Sequence, residues 1–439
     1  MNRDRIVRLD KAYVWHPYTA MGQYIAETEP LVIERAVGAR LYDADGRSFI
    51  DGNSSWWTAV LGHGHPRLLE ALRRQSEQLC HTSLAGVTHE PAARLAEELV
   101  GVAPAGLERV FFSDDGSTAI EVAVKIALQY HQQRGSTGKR RFVALNDAFH
   151  GETLAAASLG GVELFRRPFA GVMMECLHVP TGSEGGYDAA FSVLERLLDE
   201  HGSEIAGIVL EPMVQGAGGM RMYEPRYLRH ARSKALQHDV LLILDEVFTG
   251  YGRTGPMWAS EHAGISPDIM CIAKGFSGGM LPMAATLVSG GVFDAFRGER
   301  DRALYYGHTF CGNPLGAAVA REVLAIYRDE RVLEGVAAKA PRLAACFARL
   351  AELPGVSRSR SLGMVGALDL DAGEGYLAAS GWRVYQRALE LGAYLRPLGN
   401  VVYVAPPLNI ADADLAELLD VLERAVREVV LSSGWVGED

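Results

Sequence analysis

Between about residue 105 and residue 330, short and nearly continuous apolar runs alternate with longer stretches whose apolar residues recur every three or four positions. The runs RVFFS (109–113), RFVALN (141–146), IAGIVLE (205–211), VLLILDE (240–246), DIMCIAK (268–274) and AATLVS (284–289) show little polar alternation, which predicts strands covered on both faces. From Ser117 to Gln133, Ile120, Val124, Ala127 and Leu128 fall at helical spacing. Such strand and helix alternation implies a mostly parallel α/β sheet. Past about Asn313 the rhythm changes to two successive helices, ending near Leu350, and then to a mixed segment. That segment closes on ADADLAELLDVLERAVREVV, where Asp412 or Asp414 is placed to cap a helix with one apolar stripe. The expected organisation is an N-terminal segment 1–60, a large domain 61–330 and a smaller α+β domain 331–439. The first segment, rich in aromatics and glycine, is too irregular to stand alone and is expected to pack on the small domain and on a partner subunit. The polar stretch RGSTGKR (134–140) reads as the one loose joint.

Composition narrows the function classes. With 439 residues, 48% hydrophobic and 22% charged, the chain has enough apolar surface for a large core. A formal net charge of -11 without a compensating basic block disfavours nucleic acid and anionic membrane as partners. No run approaches the roughly 18–20 apolar residues of a membrane helix, and MNRDRIVRLDKAYVWHPY lacks the apolar core of a secretory signal, so the expectation is a cytoplasmic protein. Cys80, Cys176, Cys271, Cys311 and Cys346 are scattered without C-x-x-C spacing, which points to reduced thiols. His63 and His65 in LGHGHP read as a structural turn, and no metal site is expected.

The chemistry lies at two strand ends. LLILDE places Asp245, and DIMCIAKG places Lys274, at the carboxyl edge of neighbouring strands, where open α/β sheets bind ligands. Taken alone, the pair reads more readily as Asp245 and Glu246 capping the turn after the strand and Lys274 lying on the surface. Its flanks, Ala273 and Gly275 after an apolar strand, favour instead a partly desolvated amine with a lowered pKa. An amine opposite a carboxylate suits pyridoxal phosphate, which requires a lysine for its aldehyde and an acid for its pyridine nitrogen. Three further segments share this sheet edge. Gly116 and Ser117 open a helix, where backbone N–H groups can hold phosphate, although a hydroxyl there is usually only a cap. In AFHGET, Phe149 can stack on a pyridine ring beside His150, or both can be ordinary core and turn residues. YYGHTFCGNP (305–314) offers Thr309 as a further phosphate ligand. No G-x-G-x-x-G follows a strand and no G-x-x-x-x-G-K-[ST] occurs, which argues against nucleotides.

In this order the elements resemble the class III aminotransferases of the fold type I pyridoxal-phosphate superfamily, over about residues 12–430. LDEVFTGYGRTGPMWASEHAGISPDIMCIAKGFSGG is similar to that family's signature. The resemblance implies an α/β large domain with a mostly parallel seven-stranded sheet, a smaller α+β domain, and a homodimer with shared active sites. It implies Lys274 as the Schiff-base lysine, Asp245 on the pyridine nitrogen with His150 in the cofactor site, and Val247 and Phe149 on the two ring faces. Gly116 and Ser117 would bind phosphate, with Thr309 contributed by the neighbouring subunit. WHPYTAM (15–21), DGNSSWW (51–57), EPMVQGAGGMRMY (211–223) and LRPLGNVVYVAPP (395–407) look like the biotin-biosynthesis branch, which aminates 8-amino-7-oxononanoate. That implies Arg396 on the substrate carboxylate, with Tyr18, Trp56, Trp57, Gly307 and Tyr403 lining the substrate site. The chemistry agrees in kind, since a long keto acid suits an apolar tunnel ending on a guanidinium fork. The chain departs from the branch at Phe149 (usually Tyr), Glu152 (commonly Asp) and His308 (Pro in enzymes using S-adenosylmethionine). GHTFCGNP is closer to lysine-using relatives and ω-aminotransferases, whereas WHPY and SSWW resemble the S-adenosylmethionine users. The expected donor is S-adenosylmethionine, with the same reaction from lysine, or an ω-aminotransferase for another amine, as the alternative.

Overall fold

The computed structural model describes residues 2–183, 185–373 and 375–432. Its centre is a seven-stranded sheet built from β1 (Leu107–Ser113), β2 (Arg141–Leu145), β3 (Cys176–Val179), β4 (Ile205–Leu210), β5 (Leu241–Asp245), β6 (Ile269–Ile272) and β7 (Ala284–Ser289). The spatial order is β1-β7-β6-β5-β4-β2-β3. Only β7 runs antiparallel to its neighbours. All six residues of β4 and all five of β5 are buried, as continuous apolar runs between helical layers require. Each fully buried Val, Ile or Leu there contributes about 1.5–3 kcal/mol. Helix α1 (Gly116–Gln133) crosses one face and buries Ile120, Val124 and Ala127, together with Val122, Ala123 and Ile126, so its apolar surface is wider than the four-residue stripe the spacing predicts.

The strand β3 has no counterpart among the six predicted runs. CLHV is four residues long, carries a histidine and lies at the sheet edge, so its apolar signal is too weak to stand out. The stretch 134–140 is not a loose joint. Lys139 is buried, and its ammonium donates to the carbonyl oxygens of Gly202 (2.9 Å), Ile205 (3.3 Å), His238 (3.2 Å) and Asp239 (2.8 Å). A single cation thus satisfies carbonyls that loops after two helices would otherwise leave bare.

Towards the C-terminus, α2 (Pro314–Asp329) and α3 (Val332–Leu350) follow one another, as the periodicity predicts. An antiparallel sheet of β8 (Val356–Leu362), β9 (Val365–Leu370) and β10 (Val401–Val404) comes next, with α4 (Ser380–Leu391) between its last two strands. The last helix, α5, runs over Asp412–Ser432. Asp412 and Asp414 lie inside its first turn rather than at a cap, and pair with Arg342 and Arg40, each at 2.7 Å. The antiparallel strands Ile33–Val37, Arg40–Asp43 and Ser48–Asp51 are joined in parallel by Ala393–Tyr394, so the first segment completes its sheet with a strand from the far end of the chain. Among the described residues, no helix is long and apolar enough to cross a membrane.

Candidate active site

β4, β5 and β6 lie side by side and deliver Glu211, Asp245 and Lys274 to the same edge of the sheet. β6 ends at Ile272, two residues before the lysine, and Lys274 itself adopts φ +48° at the start of the turn Lys274–Ser277. A non-glycine residue held in the left-handed region is strained and persists where its surroundings fix it. The ammonium lies 5.1 Å above the Trp57 ring. Burial pushes its pKa down, partly opposed by the charges of Asp245 and Glu211.

Asp245 is buried, and each of its carboxylate oxygens has one protein partner. Its Oδ2 lies 2.8 Å from His150 Nδ1, and its Oδ1 accepts the Val247 N–H at 3.1 Å. Burial acts to lower the His150 pKa, but the Asp245 bond and the charges of Asp245 and Glu211 outweigh it and raise it. The turn-capping alternative falls to the adjacent carboxylate: Glu246 accepts from Thr249 Oγ1 (2.7 Å) and from the N–H groups of Ala259 (3.0 Å) and Ser260 (2.9 Å). Glu211 is a site residue for which the motifs assigned no role. It is buried, accepts the N–H groups of Phe149 (2.9 Å) and Gly216 (2.8 Å), and burial raises its pKa to about 7. Its signal in the sequence was an acid immediately after a fully apolar strand, the same signal that marks Asp245.

Helix α1 begins beside this trio. Asp115 and Thr118 form a capping box, with the Asp115 carboxylate accepting the Thr118 N–H at 2.9 Å. Ser117 is therefore not the cap, and its hydroxyl accepts the Glu152 N–H at 3.1 Å. A Cβ on Gly116 would come within 2.8 Å of Val247, so glycine lets the helix start approach the cleft wall. Gly116, Ser117, Phe149, His150, Asp245, Val247, Lys274 and Trp57 all line one cavity of about 450 Å³.

The predicted substrate residues form an adjoining cluster. Trp57 is buried, packs 4.6 Å from the Phe248 ring and donates from Nε1 to the Tyr403 hydroxyl at 3.1 Å. Trp56 is half-exposed, 5.7 Å from the Tyr18 ring, and the Arg396 guanidinium lies 4.9 Å over its face. Tyr18 donates to Glu152 Oε1 at 2.6 Å. Burial, together with Glu152, raises the Tyr18 pKa, and burial raises that of Tyr403. Among the described residues, the Arg396 guanidinium has no ion-pair partner, although tryptophans and tyrosines surround it. Ser54, Ser55, Trp56 and Trp57 all have positive φ (47°, 44°, 65° and 71°), one turn of left-handed helix costing about 1–2 kcal/mol per residue. Gly307 and Thr309 are not brought to this cavity within the chain; both are exposed, outside its walls. His63 and His65 face Asp51 (2.9 Å) and Glu330 (3.4 Å) instead.

Pyridoxal phosphate fits these residues on the structure's own terms. A half-buried amine faces a buried carboxylate, a helix start is kept clear by Gly116, and His150 holds a buried Nε2 without a hydrogen-bond partner among the described residues.

Residues 24–426 match the family model described as Aminotransferase class-III. An adenosylmethionine-8-amino-7-oxononanoate aminotransferase from Geobacter sulfurreducens is 39% identical over 96% of this chain and 97% of its own. The crystal structure of an adenosylmethionine-8-amino-7-oxononanoate aminotransferase from Methanocaldococcus jannaschii superposes with a TM-score of 0.93 at 35% identity, covering 97% of this chain and 99% of that one. A PLP-bound amine transaminase from an uncultivated Pseudomonas species gives a TM-score of 0.89 at 30% identity, over 95% and 99% of the two chains. With the family match spanning nearly the whole chain and the sheet edge carrying the expected lysine and acid, this protein belongs to the class III aminotransferases.

Proposed function

We propose that this aminotransferase binds pyridoxal phosphate at Lys274 and transfers an amino group from S-adenosylmethionine to 8-amino-7-oxononanoate, giving 7,8-diaminononanoate in biotin biosynthesis. The observation that carries this reading is a cavity lined by Lys274, Asp245 and Trp57, adjoined at Trp57 by an aromatic cluster of Tyr18, Trp56 and Tyr403 beside an Arg396 guanidinium without an ion-pair partner among the described residues. The names of the relatives support the same substrate and donor.

When bound, pyridoxal phosphate supplies an aldehyde for the amine and a protonated ring that accepts the electron pair left on carbon. The protein supplies the rest. Gly116 and Ser117 would hold the phosphate, and Thr309 of the neighbouring subunit would complete its site in a homodimer. Asp245, steadied by His150, would keep the ring nitrogen protonated, and Val247 and Phe149 would cover the ring faces. Lys274, its pKa lowered by burial, removes the donor's α-proton and returns a proton in the second half-reaction. Arg396 grips the carboxylate of the keto acid, and Tyr18, Trp56, Trp57 and Tyr403 exclude water along its alkyl chain, with Gly307 closing the chamber from the loop that carries Thr309. The working division is an N-terminal segment 1–60, a large domain 61–330 and a small domain 331–439.

Half-reaction spectra test the donor and acceptor together. S-adenosylmethionine should rapidly bleach the long-wavelength cofactor absorbance, lysine only weakly, and 8-amino-7-oxononanoate should restore it. Bleaching by lysine alone would reassign the donor to the class that His308 resembles. Failure of 8-amino-7-oxononanoate to restore the absorbance, where other keto compounds succeed, would replace the biotin-pathway reading by a broader ω-aminotransferase.

A further inference from the structure

The left-handed turn that presents Trp56 and Trp57 begins at Asn53, whose side chain is almost completely buried. Its Oδ1 accepts the backbone N–H of Arg396 at 2.7 Å, and its Nδ2 points to the backbone carbonyl of Tyr403 at 3.4 Å. The orientation of the amide is settled by chemistry, since an N–H can only donate and a carbonyl can only accept. Asn53 also accepts the Trp57 N–H through its own carbonyl at 2.8 Å. One residue therefore touches the backbone of three segments, each carrying a side chain of the substrate chamber. The neighbouring contacts hold the same turn: Ser55 Oγ donates to the buried Asp51 at 2.8 Å, and Ser54 Oγ donates to the Ala405 carbonyl at 2.7 Å.

We infer that Asn53 is a positioning residue for substrate specificity, fixing the span between the Arg396 guanidinium and the Trp57–Tyr403 wall beside Lys274. Asn53 touches neither substrate nor cofactor in this reading. It acts by setting where the guanidinium is rooted relative to the tryptophan turn, and so the chain length of the acid that reaches from one end to the other. An aspartate at this position keeps the acceptor for Arg396 but loses the donor, and an alanine loses both. The inference rests on the assignment of Arg396 to the substrate carboxylate.

Steady-state kinetics with 8-amino-7-oxononanoate and with its analogue lacking the carboxylate provide the test, on the holoenzyme and on N53A, N53D, R396A and N53A/R396A. N53A is expected to raise KM for the keto acid about tenfold with kcat within about twofold, the effect of one well-placed buried hydrogen bond. The ratio of kcat/KM for the acid over the analogue should fall by the same factor. N53D, keeping the shorter bond, should raise KM about threefold, and it decides the question if N53A does not fold. In the R396A background, the N53A substitution should add less than about twofold. An unchanged ratio in N53A, or equal losses for acid and analogue, would overturn the inference and leave the Arg396 assignment standing if R396A itself raises KM. An R396A enzyme with unaltered KM would remove the carboxylate assignment and the role of Asn53 with it.

Discussion

At one end of the site, Glu211 and Lys274 follow buried strands of a single sheet, and Asp245 ends the strand between them. At the other, Trp56 and Arg396 meet, with Trp57 and Tyr403 as the wall between them and Lys274, and these segments lie as much as 350 positions apart at the Asn53–Tyr403 contact. The first end is rigid because its side chains leave adjacent, hydrogen-bonded strands whose spacing the ladder fixes. The second depends on a left-handed turn and on side-chain bonds to backbone, so its geometry reflects how distant segments dock. Chemistry common to a family is placed where the backbone ladder sets the distances. In the proposed mechanism, substrate choice is placed where a few side-chain contacts can reset them.

The contrast can be broken first at Lys274. Lys274→Ala should lower turnover about 10⁴-fold with every donor and acceptor while cofactor is still bound noncovalently, as shown by retained phosphate content after gel filtration. Equal damage to all substrates is the signature of the rigid end; a variant that stayed active would remove the proton carrier from the proposed mechanism. Arg396→Ala probes the docked end. It should raise KM for the keto acid about 50-fold, the scale of a charge-assisted bidentate contact, with a much smaller change in kcat. A fall in kcat alone would place the guanidinium in the chemical step instead.

The smallest effect sharpens the picture of the rigid end by pH. Glu211 has a pKa of about 7 in the folded protein, raised by burial above its ordinary 4.5, so between these values the folded state holds a proton that the unfolded state has released. Stability of the wild type should therefore fall as pH rises through that window and level off above it. Glu211→Gln cannot titrate there. Whatever its constant offset from a lost acceptor, its melting temperature should gain on the wild type from pH 4.5 to 7 and run parallel above. Parallel curves throughout would mean that the charge of Glu211 is compensated by His150 more fully than burial penalises it.

Much of the rigid end was legible in the primary structure. Continuous apolar runs ending in Asp or Lys announce buried strands that deliver a charge to the ligand-binding edge, and Asp245 and Lys274 stand in one cavity as that pattern predicts. Glu211 carried the same mark but had no motif to give it a task. β3 escaped because a four-residue edge strand containing a histidine lacks apolar continuity. RGSTGKR looked loose because polar composition does not reveal that Lys139 finds four carbonyls contributed by residues 202–239. The paired aspartates of α5 looked like caps because spacing alone does not show that Arg40 and Arg342 await them.

By itself, the sequence of this protein determined the parallel α/β core, the family, and the residue types at each end of the cleft, because periodicity and strand-end charges are local properties. Only the tertiary structure decided that His150 braces Asp245, that Glu211 joins them, that Lys274 leaves its strand in a left-handed conformation, and that Asn53 ties the tryptophan turn to Arg396 and Tyr403. Those are facts about which distant groups meet in a low-dielectric interior. Hydrogen-bond partnership and desolvation there depend on the packed neighbours, which no local pattern specifies.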